Sequence, residues 1–435
     1  MRRFFRFDEL GTNYRQETLG GITTFFAMAY IVIVNPAILA DGGIPRDASV
    51  TATIVTAVIG TLIMALYAKR PFAIAPYMGE NAFIAYTVVL GMGYPWQKAL
   101  GAVFLGGLIF IIITAFRVRS WIVNAIPDSL KASFAVGIGF FIMFIGLNDT
   151  GIIRLGVAGA PVKVGELGTA GPILAIICVF LISIMMIRKI PGSILIGILL
   201  TSIMAYILGA AAWPDRLVSP PPSLSPIFLS LDIAGALTID FLPIILVIFV
   251  LDFVDTMGTL IGVSARAGLL DKSGNLPEIE KPMMADAIAT TAAALVGTST
   301  AGAYIESAAG IESGARSGFA SLVTAIMFLF CLFLGPLFVS IPPAAYGAAL
   351  IVVGFLMLSP AKDINFDDYT ELFPSAATIA IMSFTFNIGF GMASGFVFYP
   401  ILKIVAGKAR ALRWGIWILF AISIILFIFY PYREV

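Results

Sequence analysis

Four carboxylates, Glu80, Asp252, Asp255 and Glu306, lie inside long apolar, glycine-rich stretches of the chain. In a membrane protein an acid near the bilayer centre costs about 2.5–3.5 kcal/mol on insertion scales. An acid kept there is by default a binding group or a proton carrier. In Asp252-Phe253-Val254-Asp255-Thr256-Met257-Gly258-Thr259 the two acids stand three residues apart, so on a helix they share one face. Two acids so close do not easily ionise together, which suits the pair to taking up and releasing a proton. The alternative for Asp252 is a structural bond to backbone or to a neighbouring hydroxyl.

Glu306 lies in Gly297-Thr298-Ser299-Thr300-Ala301-Gly302-Ala303-Tyr304-Ile305-Glu306-Ser307-Ala308-Ala309-Gly310. This stretch is too small and too polar for a lipid-facing helix. Irregular backbone at such depth is tolerated where it is buried or lines a cavity. The segment should run extended over 298–303 and then turn helical, offering free N–H groups at the helix start. Glu306 would accept hydrogen bonds from ligand N–H groups. Glu80 and Asn81 sit in a matching stretch, Ala75-Pro76-Tyr77-Met78-Gly79-Glu80-Asn81-Ala82. The Asn81 amide offers two donors and an acceptor, which suits the edge of a planar heterocycle. Glu80 also reads as a helix N-terminal cap, and both readings stay open.

The elements that must position these residues are membrane spans. The chain has 435 residues, 60% hydrophobic and 12% charged, against about 25% charged in soluble domains. A net charge of +1 gives no sign of nucleic-acid binding. The two cysteines, Cys178 and Cys331, fall in separate apolar runs and form no disulfide framework or metal cluster. Histidine is absent, which excludes HExxH metalloproteases, Ser-His-Asp hydrolases and histidine proton relays. Proton chemistry must therefore run through carboxylates. An integral-membrane enzyme is disfavoured, and the aromatic residues carry no cofactor signature. The opening Met1-Arg2-Arg3-Phe4-Phe5-Arg6 reads as a cytoplasmic amphipathic lead-in rather than a signal peptide.

Apolar runs place spans near 20–40, 50–68, 72–90, 99–116, 129–148, 172–187 and 193–213. A second set follows near 239–262, 284–297, 303–314, 318–340, 345–359, 372–386 and 388–406, with a further run at 412–430. A proline-rich stretch over 214–235 reads as an external linker with polyproline character. Asp286, Glu278, Glu280 and Glu312 fall near span ends and should be solvated. With the N-terminus inside, Lys69, Arg70, Lys131, Arg188, Lys189, Arg316, Lys362, Lys403 and Lys408 gather on the cytoplasmic side, as the positive-inside rule requires. Seven spans in each half, 1–213 and 236–435, make the second half an inverted copy of the first, a transporter signature. The interrupted third and tenth spans mark the binding site.

The motifs Tyr77-Met78-Gly79-Glu80-Asn81-Ala82-Phe83, Asp252 to Thr259, and Thr298 to Gly310, together with Glu17-Thr18-Leu19-Gly20-Gly21-Ile22-Thr23-Thr24-Phe25 and Asn35-Pro36, resemble the AzgA-like branch of the nucleobase:cation symporter-2 family. The resemblance covers nearly the whole chain. It implies the uracil-permease fold, an all-α polytopic membrane protein with about fourteen transmembrane segments in two inverted seven-span repeats. Spans 1–4 and 8–11 would form a core and spans 5–7 and 12–14 a gate, with short strands crossing in spans 3 and 10. It also implies proton-coupled uptake of adenine, guanine or hypoxanthine across the plasma membrane, without a cofactor, and a homodimer. Sodium is the alternative coupling ion.

On this resemblance Glu306 is the substrate-binding acid and Asp255 the substrate-linked acid. The substrate set becomes Glu306, Asn81, Asp255, Ala82, Ile305 and Thr259, and the proton-coupling set Asp255, Asp252 and Glu80. Uracil permease carries a histidine where this chain has Thr259, so a histidine relay does not transfer. The same fold carrying xanthine or uracil, and a facilitative nucleobase channel or exporter, are the alternatives. An anion site would want a basic residue at the two breaks, and neither has one.

Overall fold

The structure, a computed structural model, describes residues 1–116, 126–157, 160–266, 268–271 and 276–429. Among these residues nine helices are long and apolar enough to cross a bilayer, from Tyr14–Asp41 and Arg46–Ala68 to Pro343–Asp363 and Ile388–Val405. Eighteen residues at 1.5 Å rise reach about 27 Å, close to the hydrocarbon thickness. Shorter helices, Ser193–Ile207, Glu280–Val296, Tyr369–Thr385 and Trp414–Phe429, fall where further spans are expected. The protein is mostly helical and polytopic.

Two expected spans are broken, as their small and proline-bearing sequences require. In the first half β1 (Ile74–Pro76) leads into a five-residue helix, Met78–Ala82, and then a π-helix, Phe83–Gly91. An exposed hairpin, β2 (Ile153–Val157) with β3 (Ala160–Val164), follows the Asp128–Asp149 helix. This hairpin was not anticipated from sequence, which placed strands at the two breaks alone. In the second half β4 (Ala301–Ala303) leads into the Ser307–Glu312 helix. β1 and β4 pair antiparallel, with Ala75 opposite Gly302.

The crossing is held from both sides by equivalent bonds. The Tyr77 N–H donates to Thr300 O at 3.1 Å and the Tyr304 N–H to Ala73 O at 2.9 Å. The Tyr77 hydroxyl donates to Ala303 O at 3.0 Å, and the Tyr304 hydroxyl donates to Pro76 O. The two rings lie parallel, 6.0 Å apart. Each strand is also gripped by a threonine of the preceding helix. Thr61 accepts from the Ile74 N–H at 2.9 Å and donates to Ile74 O at 3.0 Å. Thr290 accepts from the Ala301 N–H at 3.0 Å and lies 3.0 Å from Ala301 O. These bonds satisfy backbone groups that neither lipid nor a regular helix could satisfy. Gly302 has no substitute here, since a Cβ would run into the Tyr77 ring.

The helices pack in two groups. Tyr14–Met28, Arg46–Ile63, Trp96–Ala115, Leu242–Arg266, Glu280–Val296 and Gly318–Cys331 surround the crossing. Asp128–Asp149, Ala170–Ile187, Ser193–Ile207, Pro343–Leu356, Tyr369–Thr385 and Ile388–Val405 pack mainly on one another. The proline-rich segment lies docked along the first group. The Thr51 hydroxyl donates to Pro222 O at 3.0 Å, the Leu229 N–H donates to Leu295 O at 2.9 Å, and Ile227 is fully buried. Trp414–Phe429 lies along Ile388–Val405, with Phe427 against Phe390, ring centroids 4.6 Å apart. At sixteen residues it is shorter than the nine span-length helices.

Glu17, fully buried, ties the Tyr14–Met28 helix to the start of the Gly318–Cys331 helix. Its carboxylate accepts from the N–H groups of Arg316 at 2.9 Å, Ser317 at 3.1 Å and Ala320 at 3.2 Å. Removing the acceptor strands those donors, at about 1–3 kcal/mol each. Glu17→Ala is therefore expected to lower the melting temperature in detergent by several degrees, read by tryptophan fluorescence. An unchanged melting temperature would show that water replaces the carboxylate without loss.

Candidate functional site

The Leu242–Arg266 helix carries Asp252 and Asp255 past the strand crossing. Asp252 is buried, 1% exposed, and its Oδ2 lies 2.9 Å from the Thr290 hydroxyl. Thr290 Oγ1 thus has two acceptors, Asp252 Oδ2 and Ala301 O, and a single hydrogen to give. A proton on Asp252 resolves this, because the acid then donates to Thr290 and Thr290 to Ala301 O. The equivalent Thr61 has no such third partner, so the two clamps differ by one acid. Asp255, one turn further on, is half-buried, as is Thr259 another turn beyond.

Glu306 stands at the N-terminal end of the Ser307–Glu312 helix, half-buried, with Ile305 exposed beside it. The Tyr30 hydroxyl donates to Glu306 Oε1 at 2.5 Å. Tyr30, 1% exposed, sits at the join of the Tyr14–Met28 and Ile31–Asp41 helices. One carboxylate oxygen is thereby held by Tyr30. Sequence reasoning missed Tyr30, since a tyrosine in the middle of an apolar run carries no local sign of a partner 276 positions away.

Glu80 lies in the first turn of Met78–Ala82 but caps nothing, and neither of its buried oxygens has a partner on another residue. Its place in the first helical turn still suits an acid to the positive end of the helix. Asn81 donates through Nδ2 to Asn35 Oδ1 at 2.7 Å. Asn35 in turn donates to Thr53 Oγ1 at 2.7 Å and Thr298 Oγ1 at 2.9 Å. This network orients the Asn81 amide and leaves its Oδ1 without a partner. Ala82 is fully buried and packs behind the site.

Asp286 corrects an expectation. It is fully buried rather than solvated, because the Glu280–Val296 helix starts four residues before the predicted span and sets Asp286 in its second turn. Its Oδ2 accepts from the Ala303 N–H at 2.9 Å, holding β4 from behind. The sequence signal was the acid in an alanine-rich run, masked by Lys281 and Pro282 just before it.

The acids converge on the two tyrosines. Tyr304 lies in the field of Glu306, Glu80 and Asp255, and Tyr77 in that of Asp286, Asp255 and Asp252. Buried oxygens of Glu80, Asn81, Asp252, Asp286, Ser299 and Thr300 have no hydrogen-bonding partner. Native proteins pair nearly all such atoms, so this group at the strand crossing makes it the candidate site. The arrangement can accept N–H groups, donate through backbone at two helix starts, and hold exchangeable protons. Among the described residues no cluster has the donors for a metal ion.

Comparison with known proteins fits this geometry. The model of the Permease family matches residues 15–398. The chain belongs to the nucleobase:cation symporter-2 permease family. A relative of this permease from Methanocaldococcus jannaschii is 47% identical over 429 residues, covering 99% of this chain and 98% of its own. The guanine/hypoxanthine permease PbuG of Bacillus subtilis is 40% identical, covering 99% of this chain and 100% of PbuG. The adenine permease AdeQ of Escherichia coli is 38% identical, covering 98% and 96%. Among solved structures, the transmembrane domain of a cyanobacterium bicarbonate transporter, BicA, superposes with a TM-score of 0.66 at 17% identity, covering 88% of this chain and 97% of that one. The likeness to BicA concerns the fold alone. The permease is a multi-pass membrane transporter, not an enzyme.

The threonine clamps give a paired test. Thr290→Val removes the hydroxyl that serves both β4 and Asp252, and is expected to reduce nucleobase uptake at least tenfold and to shift its pH profile. Thr61→Val removes the matching clamp on β1 without touching an acid, and should lower uptake with the pH profile unmoved. Identical pH profiles for both variants would contradict the Asp252–Thr290 link.

Proposed function

We propose that this permease carries purine nucleobases, adenine, guanine or hypoxanthine, together with a proton, into the cell. The observation that carries the reading is Glu306, fixed by Tyr30 at the mouth of the β1–β4 crossing, near acids that keep unpaired buried oxygens. A neutral purine offers the ring N–H groups that Glu306 accepts and the ring nitrogens that backbone N–H groups at the two breaks can satisfy. Asn81, held by Asn35, reads a further edge. Relatives named as adenine and guanine/hypoxanthine permeases support purine over uracil or an anion.

Asp255 takes the coupled proton, with Asp252 and Glu80 beside it. Protonation removes a charge that is costly to carry across the bilayer. The group of helices around the crossing acts as a core that slides against the second group as a gate, in elevator fashion. This division follows the inverted halves 1–213 and 236–435 joined by 214–235. The bias of basic residues supports a cytoplasmic N-terminus, and uptake into the cell implies the plasma membrane. A thermal-shift panel of adenine, guanine, hypoxanthine, xanthine and uracil tests the substrate class. Stabilisation by purines of the first three kinds is expected, while a response confined to uracil would overturn it.

A further inference from the structure

A cavity of about 200 Å³ lies between the Trp96–Ala115, Leu242–Arg266, Ile388–Val405 and Trp414–Phe429 helices, walled by residues such as Ile113, Phe249, Val250, Ala393, Phe396 and Ile422. Ser423 supplies the one hydroxyl in its lining, and that hydroxyl donates to Leu419 O at 2.7 Å. A buried water needs two to four polar partners, so the space does not hold water. Its walls are apolar helices at bilayer depth, where the surrounding medium is acyl chain. One wall is open to that medium, with Ile418 47% exposed.

The cavity reaches the start of the Trp414–Phe429 helix. Gly415 lines it, and exposed Arg410 and Arg413 stand just before Gly415 at the start of the wall helix. The positive end of that helix dipole adds to their field. Basic residues at the membrane edge attract anionic headgroups. We propose that this cleft holds one acyl chain of an anionic phospholipid, with its headgroup phosphate at Arg410 and Arg413. The helices that form the cleft come from both packing groups and from the additional terminal helix, so the lipid sits at their seam.

Native mass spectrometry of the full chain, purified with equal phosphatidylglycerol and phosphatidylcholine, tests this. The wild type is expected to retain one phosphatidylglycerol. Ala393→Phe and Ile422→Trp fill the cavity from two different helices, and each should cut that adduct at least tenfold while the protein still unfolds cooperatively. The double change R410Q/R413Q should equalise the two lipids. Equal adducts in the wild type and in whichever cavity variant folds would overturn the site. A phosphatidylglycerol preference untouched by R410Q/R413Q would overturn the headgroup assignment.

Discussion

Glu306→Ala should abolish purine binding, with affinity falling about 100-fold or more. A hundredfold loss corresponds to about 2.7 kcal/mol, within reach of a charge-assisted hydrogen bond in a desolvated site. The expectation rests on one bond, Tyr30 Oη to Glu306 Oε1 at 2.5 Å, which fixes the carboxylate before substrate arrives. Tyr30→Phe then serves as a graded control. It leaves the acid in place but frees its rotamer, so KM should rise about tenfold while maximal uptake changes little. Isothermal titration with hypoxanthine on both variants reads the difference. Full-strength binding by Glu306→Ala would remove Glu306 from the site.

Asp255→Asn should separate binding from coupling. Asparagine matches aspartate in shape and cannot carry the proton, so purine affinity should persist within a few fold while gradient-driven accumulation is lost. Asp255 is the candidate carrier because it is half-buried on the same helix face as Asp252. Asp252 is already engaged by Thr290 at 2.9 Å. Counterflow exchange of labelled for unlabelled hypoxanthine should continue in Asp255→Asn, since exchange needs no net proton movement. Net accumulation equal to wild type would assign coupling to another acid.

Glu306, Asp255, Asp252 and Glu80 were legible in the sequence because an acid in an apolar run is expensive wherever the run folds. The broken spans were legible too, since Pro76 and the Gly302 region cannot continue a helix. What escaped depended on partners far apart in the chain. Tyr30 meets Glu306 across 276 positions and Asn35 meets Asn81 across 46, and periodicity carries no sign of either. Asp286 escaped because a span start displaced by four residues exchanges solvent for core. The proline-rich segment reads as an external linker, and the structure adds that Ile227 is buried and Pro222 O bonded by Thr51.

The two halves also differ in a way the sequence match between them hides. Thr61 and Thr290 grip their strands alike, but Thr290 alone also meets an acid. Tyr77 and Tyr304 exchange hydrogen bonds almost symmetrically, while Glu306 has a tyrosine partner and Glu80 has none. A symmetric frame thus carries an asymmetric set of acids.

The central claim is purine movement coupled to a proton, and uptake into proteoliposomes under an imposed pH gradient tests it most directly. A gradient of one pH unit supplies about 1.4 kcal/mol, and a potential of 100 mV adds about 2.3 kcal/mol. Together they would support roughly 500-fold accumulation at one proton per purine. The account predicts labelled hypoxanthine accumulating about tenfold per pH unit, acid outside, with external alkalinisation on substrate addition. An internal-to-external ratio that stays at one, whatever the gradient, would contradict it and leave a facilitative pathway.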